Sequence, residues 1–106
     1  MGTVYLIGEK EGGNVFKIGS THGDSADVRL RQLQTGNSSE LSVRHSFSTD
    51  TPFKLEKMLH VKYGVANLIG EWFSLSDDDV SRFPQTCQRL QSTIDSLREN
   101  PFFKRT

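Results

Sequence analysis

Four polar residues have side chains suited to proton transfer, anion binding or metal binding: Tyr5, Lys17, Arg29 and Glu56. A phenol can exchange a proton, lysine and arginine bind anions, and a carboxylate is a ligand that Mg²⁺ prefers. No spacing along the chain joins them into one site, because they lie in different predicted strands and helices. Lys17 stands between Phe16 and Ile18 in a strand, so its side chain points to the opposite face from both. Any site must therefore be assembled by the fold.

Glu56 and His60 form a second polar pair. They are four positions apart in a predicted helix and therefore share one of its faces. Such a pair is most often a surface hydrogen bond. The other interpretation is that His60 lines a site and orients water or a phosphate, and both interpretations stay open.

The elements that must position these residues follow from turn, cap and periodicity signals. Gly12-Gly13-Asn14 is a turn signal that makes the first two strands an antiparallel hairpin. Asp24 or Ser25 can cap the first helix, and Pro84 predicts a kink or a fresh start in the last one. In chain order we predict strands over 4–7 and 15–19, a helix that starts within 23–26 and closes at 36–37, a strand over 41–47, a helix over 51–64, an extended segment over 70–75 and a helix over 77–98.

The third predicted strand shows period-two alternation. It places Leu41, Val43, His45 and Phe47 on one face and the residues between them on the other. Together these elements predict one α+β domain, in which a small antiparallel sheet is covered by helices.

Composition narrows the classes of partner. The 106 residues fit one domain, and 13 Lys plus Arg balance 13 Asp plus Glu. The neutral total argues against indiscriminate binding to nucleic acid or to an anionic membrane, but it is compatible with a local basic cleft. No apolar run approaches the length of a membrane span. The single cysteine, Cys87, excludes an internal disulfide framework, favours a reducing cytoplasm, and is expected to pack in the apolar stripe of the last helix.

Five short motifs follow one another in order within residues 3–75. They are Val-Tyr-Leu-Ile at 4–7, Phe-Lys-Ile-Gly-Ser-Thr at 16–21, Arg-Leu-Arg-Gln-Leu-Gln-Thr-Gly-Asn at 29–37, Glu-Lys-Met-Leu-His at 56–60 and Gly-Glu-Trp-Phe at 70–73. This ordered set resembles the GIY-YIG nuclease superfamily, in the compact phage and bacterial branch whose second motif reads Lys-Ile-Gly. Thr3 and Val4 replace the glycine and isoleucine of the first motif, and Lys17 replaces the tyrosine of the second.

The resemblance implies an architecture and an activity. The implied fold is a three-stranded antiparallel sheet flanked by helices, in one domain over 1–99 with its motif-bearing core at 3–75, a C-terminal helix at about 77–98 and a loose tail at 100–106. The implied activity is hydrolysis of DNA phosphodiester bonds by an endonuclease that uses a single metal ion, Mg²⁺ or Mn²⁺. The implied setting is the cytoplasm of a bacterium or a phage-infected cell.

The resemblance also assigns roles. It implies that Tyr5 activates the attacking water, that Arg29 contacts the scissile phosphate and that Glu56 holds the metal. The Lys17 ammonium would favour the Tyr5 phenolate, because a phenol with a pKa near 10 is otherwise a poor base at neutral pH. His60 is a further candidate catalytic residue. Gly19 would allow close approach after the second strand.

Further positions are assigned to binding or packing. A DNA-facing edge is expected at Arg31, Gln34, Asn37 and Arg44, whereas Trp72 and Phe73 are expected to hold the extended segment against the sheet. Sequence specificity would require a partner subunit or a separate DNA-binding domain. The alternatives are a DNA-binding module without cleavage, and a protein-interaction module whose last helix docks a partner.

Overall fold

The structure, a computed structural model, describes residues 1–23 and 25–99. In chain order its elements are β1 (Gly2–Glu9), β2 (Val15–His22), α1 (Ala26–Thr35), β3 (Leu41–Thr49), α2 (Pro52–Lys62), a 3₁₀ turn (Gly64–Ala66), β4 (Asn67–Ile69), β5 (Trp72–Ser74), α3 (Asp77–Ser81) and α4 (Phe83–Glu99). The predicted tail over 100–106 and the alternative cap at Asp24 lie outside the described residues.

The sheet has five strands in the described part of the chain, so the expected three-stranded sheet is wrong. Its order is β3-β1-β2-β5-β4, and all of its paired strands are antiparallel. Gly70 adopts φ +55°, which turns the chain back after β4 and lets β5 pair with β2 from Val15 to Lys17. The predicted extended segment over 70–75 contains β5, whereas β4 was not predicted, because a strand of three residues is too short for alternation to reveal it.

The β1–β2 hairpin confirms the predicted turn. Gly12 and Gly13 adopt φ +109° and +104°, and β1 pairs with β2 in a register that places Tyr5 opposite Gly19. Side chains alternate along β1, so Tyr5 and Ile7 face one side of the sheet while Val4 and Leu6 face the other.

Each face of the sheet is covered by its own hydrophobic cluster. The larger one packs β1, β2 and β5 against α2 and α4, and contains Val4, Leu6, Phe16, Ile18, Leu55, Leu59, Tyr63, Phe73, Leu75, Phe83, Cys87 and Ile94. The smaller one packs Tyr5 and Ile7 with Ala26 and Leu41 beneath α1. Cys87 is buried in the larger cluster, as predicted.

Strand β3 departs from simple alternation. Its pairing with β1 shifts register between Leu6 and Ile7, so that Leu6 faces His45 and Ile7 faces Val43. Arg44 is therefore the extra residue of a β-bulge, which reverses the faces of the residues on either side. Val43 packs against the smaller cluster, whereas Phe47 packs against the larger one. The prediction that Leu41, Val43, His45 and Phe47 share a face is wrong for this reason.

Local capping decides where the helices begin. The Ser25 side chain accepts a hydrogen bond from the Val28 amide, and Ser76 forms a reciprocal capping box with Asp79. The last helical pattern is divided into α3 and α4, and α4 starts at Phe83 with Pro84 in its first turn, where the missing N–H is tolerated.

Within the described residues, no helix combines the length and apolar character needed to cross a membrane.

Candidate functional site

A cavity of about 270 Å³ opens beside β1, β2 and α1. It is lined by Tyr5, Lys17, Ser20, Arg29, Gln32, Leu33 and Glu71. Strand β5 pairs with β2 up to Lys17, and the Glu71 carbonyl then accepts a hydrogen bond from the Ile18 amide, 3.0 Å away. Beyond this point β5 no longer covers the edge of β2. Side chains from the two helix-covered faces of the sheet can therefore meet around that edge.

Tyr5 is held against β2 by the absence of a side chain at Gly19. A Cβ atom on Gly19 would lie 2.4 Å from the Tyr5 hydroxyl oxygen and 2.6 Å from its Cζ. Tyr5 is 3% exposed, so its ring is part of the core, and the residue also lines the cavity. Gly19 therefore permits the close approach that the sequence motif predicted, and the group that approaches is the Tyr5 phenol.

The Lys17 side chain contacts the β4–β5 hairpin. Its Nζ lies 3.1 Å from Glu71 Oε2 and 5.8 Å from the centroid of the Trp72 ring. The Lys17 side chain is only 14% exposed, so this ion pair is better shielded than a surface pair. The ammonium was expected to act on the Tyr5 phenol, but its closest charged partner here is the Glu71 carboxylate.

A carboxylate cluster adjoins the cavity on the α2 side. The Glu56 carboxylate accepts a hydrogen bond from Ser20 Oγ, and its Oε2 lies 3.6 Å from His60 Nε2. One ligand atom each from Glu56, His60 and Glu71 lie within 4.8 Å of one another. The three side chains come from α2 and from the turn before β5, so the fold brings together residues distant in sequence.

The two carboxylates of this cluster influence each other. Burial raises the pKa of Glu56, and a hydrogen bond and charge repulsion from Glu71 raise it further, against the hydrogen bond from Ser20. Burial acts to raise the pKa of Glu71 as well, but hydrogen bonds from Glu56 and Lys17 outweigh it and hold that pKa below its usual value. Glu56 is thus the member of the pair with the higher pKa, and Glu71 is the one with the lower pKa.

The Tyr5 phenol has opposing charges around it. Burial is the main reason that its pKa lies above 10, the charge of Arg29 acts to lower it, and the charges of Glu71 and Glu56 raise it. Arg29, rather than Lys17, is therefore the cation that favours the phenolate.

Arg29 is fixed by its own helix. Its Nη1 donates to Gln32 Oε1 at 3.0 Å, one turn further along α1. Its Nε is shielded from solvent and has no hydrogen-bond partner among the described residues. Arg29 thus lines the cavity and has one N–H that no described group satisfies.

His60 lies behind the carboxylates and outside the Tyr5 cavity. Its Nε2 is 2.9 Å from the Ile18 carbonyl oxygen, and its ring centroid is 5.0 Å from that of Phe73. It contributes instead to a neighbouring cavity of about 310 Å³, together with Gly64, Asn67, Gly70 and Phe73. Phe73 is buried in the larger cluster and Trp72 lies against Lys17, and both belong to β5, which is itself a strand of the sheet.

None of the four residues predicted to face DNA lines the cavity. Arg31 is exposed on α1. The Gln34 amide instead ties down the loop before β3, because it donates to the Ser39 carbonyl at 2.8 Å and accepts from the Leu41 amide at 2.7 Å. Asn37 accepts from the Ser39 amide.

The predicted DNA contact at Arg44 is also placed elsewhere. Arg44 donates to the Glu9 carbonyl oxygen and lies over the Phe16 ring, 5.7 Å from its centroid. The structure therefore brings Tyr5, Lys17, Arg29 and Glu56 to one region, with His60 beside them, and leaves Gln34, Asn37 and Arg44 bound to backbone groups of their own surroundings.

Sequence reasoning missed Glu71 and Ser20. Neither residue was assigned a role from the sequence. The available signal was that both residues belong to the short motifs at 70–73 and 16–21. No local pattern indicates that Ser20 meets Glu56, 36 positions away, or that Glu71 meets Lys17, 54 positions away.

Comparison with known proteins identifies the family. A family model for the T5orf172 domain matches residues 2–89, which is most of the chain. The chain belongs to the T5orf172 domain family. No curated protein and no solved structure matches it.

This match corrects the assignment drawn from the motifs. The family whose model matches is the T5orf172 domain and not the GIY-YIG nuclease superfamily, so that assignment was wrong. Each motif was four to nine residues long, and much of its content is what an antiparallel hairpin and two capped helices require. Such segments discriminate families poorly, even in a fixed order.

Proposed function

We propose that this protein is a metal-dependent endonuclease that hydrolyses phosphodiester bonds of DNA. The observation that carries the proposal is the convergence of Tyr5, Lys17 and Arg29 from three elements on one cavity, with the Glu56 carboxylate at its border. A proton-exchanging phenol, a guanidinium and a carboxylate are the groups that phosphate hydrolysis uses. The proposal rests on these side chains and not on family membership.

Charge balance supports a role for a divalent cation. Two cations, Lys17 and Arg29, face two carboxylates, Glu56 and Glu71, so the region by itself offers little net attraction for a phosphate. The donor set fits Mg²⁺, with Mn²⁺ as the second choice, because these ions take carboxylate oxygens and keep several waters. A cation held by Glu56 would supply Lewis acidity and make the region attractive to an anion.

The chain's own residues would then act on the reacting atoms. Arg29 holds the scissile phosphate with paired donors and remains charged throughout. The Tyr5 phenolate takes a proton from the attacking water, the water oxygen bonds to phosphorus, and the bond from phosphorus to the leaving ester oxygen breaks. The leaving oxygen takes a proton from solvent, and Tyr5 returns its proton to solvent. The products are a phosphate monoester and a free hydroxyl.

DNA is the proposed substrate, with a limited contact surface on this chain. Arg31 is exposed on the helix that carries Arg29 and would contact the flanking backbone. Because the chain has zero net charge, its non-specific affinity would be low. We therefore propose that a partner subunit or a separate DNA-binding domain supplies specificity. A cytoplasmic setting is proposed from the single, buried cysteine.

The test is nicking of supercoiled plasmid by the purified full chain with Mg²⁺ or Mn²⁺. Tyr5→Phe, Arg29→Ala and Glu56→Gln should each lower the rate by roughly 100-fold or more, since each removes a group that acts on the reacting atoms. Tyr63→Phe and Glu40→Gln are matched controls that alter a tyrosine and a glutamate away from the cavity and should retain the rate. Chelation of the metal should abolish nicking.

Two results would overturn the proposal. The first is the absence of nicking with either metal, and the second is an unchanged rate in all three site variants. A gel shift with steep salt dependence but without nicking would instead support the non-catalytic DNA-binding module.

A further inference from the structure

We propose that Glu71 is a second metal ligand, which shares a divalent cation with Glu56, and that Lys17 occupies its carboxylate when the cation is absent. This inference rests on the proposed metal-dependent function and extends it to a residue outside the predicted metal site. It also predicts competition between a cation and an ammonium for one carboxylate.

The position of Glu71 is the first support. It follows Gly70, whose positive φ turns the chain between β4 and β5, and its carbonyl is bonded to the Ile18 amide. Its backbone is thereby anchored on the edge of β2, and its side chain lines the cavity that contains Tyr5 and Arg29. Ligand atoms of Glu71 and Glu56 lie within 4.8 Å of each other and the two carboxyl groups interact through a hydrogen bond, so a small movement of the side chains would let one cation contact both.

The hydrogen bond made by His60 limits which atoms of the cluster can bind a metal. Its Nε2 lies 2.9 Å from the Ile18 carbonyl oxygen, which can only accept a hydrogen bond. Nε2 therefore carries a proton and is not available to a metal. With that nitrogen unavailable, we propose the carboxylate oxygens of Glu56 and Glu71 as the donors, and oxygen donors favour Mg²⁺ or Mn²⁺ over Zn²⁺. His60 acts as a positioning residue beside Glu56.

Lys17 explains how the chain tolerates two close carboxylates without a cation. Its Nζ lies 3.1 Å from Glu71 Oε2, and the Trp72 ring lies on the same ammonium at 5.8 Å. A divalent cation at the carboxylate pair would repel the ammonium. Removal of the Lys17 charge should therefore strengthen cation binding, whereas removal of the Glu71 charge should weaken it.

The experiment is a calorimetric titration of the full chain with Mn²⁺ in the absence of DNA. The chain has one tryptophan, Trp72, which adjoins Glu71, so its fluorescence gives an independent binding curve. We expect Glu71→Gln to raise the dissociation constant by roughly 10-fold or more. Lys17→Met should lower it several-fold. Glu40→Gln is the matched control, because it breaks the exposed Lys10–Glu40 ion pair at 3.3 Å and should leave Mn²⁺ affinity unchanged.

The outcomes separate the two proposals. If Glu56→Gln weakens Mn²⁺ binding and Glu71→Gln does not, Glu71 is not a ligand and the proposed function is untouched. If Glu71→Gln and Lys17→Met both weaken binding, Glu71 acts only through its ion pair and the inference is overturned. If the unmodified chain binds neither Mn²⁺ nor Mg²⁺, the proposed function fails as well. If Glu71→Gln does not fold, Glu71→Ala is titrated instead, and unchanged affinity in that variant overturns the assignment.

Discussion

The Tyr5 phenol lies directly against the α-carbon of Gly19, its partner across the β1–β2 hairpin. The contact couples the strand register to the position of the proposed base, because the ring can occupy this place only if residue 19 has no side chain. One pair of residues thus serves both the packing of the smaller cluster and the geometry of the cavity.

Gly19→Ala should therefore displace the Tyr5 ring. The added Cβ would lie 2.4 Å from the hydroxyl oxygen, so we expect a loss of about 1–3 kcal/mol in the free energy of unfolding, as is typical of overpacking. Urea denaturation measures it, and plasmid nicking should fall in parallel. Gly64→Ala is the control, because a Cβ there meets nothing within 4 Å. If Gly19→Ala changes the free energy of unfolding by the same amount in the native chain and in a Tyr5→Leu background, the contact with Tyr5 is not the cause of the loss.

Gln34 and Arg31 were both predicted to face DNA, but substitutions at the two positions should have different effects. Gln34→Ala removes the amide that holds the Ser39 carbonyl and the Leu41 amide, so we expect a loss of about 1–3 kcal/mol in stability. Arg31→Gln should leave stability unchanged and reduce the salt dependence of DNA binding by about one phosphate contact. Gln88→Ala, at an exposed position on α4, is the control for the first variant. Equal stability of Gln34→Ala and the native chain would contradict the structural role.

Cys87 should be inert in the folded protein. Burial in the larger cluster raises the pKa of its thiol to about 12, so very little thiolate exists at pH 8. We expect an aromatic disulfide reagent to label it slowly in native buffer and rapidly in urea, where the pKa returns to near 8.5. Because the folded-state pKa is the higher one, this thiol should favour the folded state less as pH rises from the unfolded value towards 12. Equal labelling rates with and without urea would contradict its burial.

Much of the architecture follows from local signals that can be recognised in the sequence. The glycines of the first turn predict the hairpin, Ser25 is one of two predicted caps of the first helix, and Pro84 predicts the break before α4. These features depend on backbone conformation and on hydrogen bonds within a few residues, so the chain specifies them without reference to distant parts.

Tertiary structure decided what those signals could not. The bulge at Arg44 reverses the faces of β3, although alternation appears regular in the sequence. Strands β4 and β5 are stable only because β2 offers an edge for pairing. Sequence alone identified Tyr5, Lys17, Arg29 and Glu56 as chemically capable residues, but only the fold placed Glu71 between Lys17 and Glu56. The physical reason is that a contact between residues 54 positions apart depends on strand register and turn geometry summed over the intervening chain, and no local pattern records that sum.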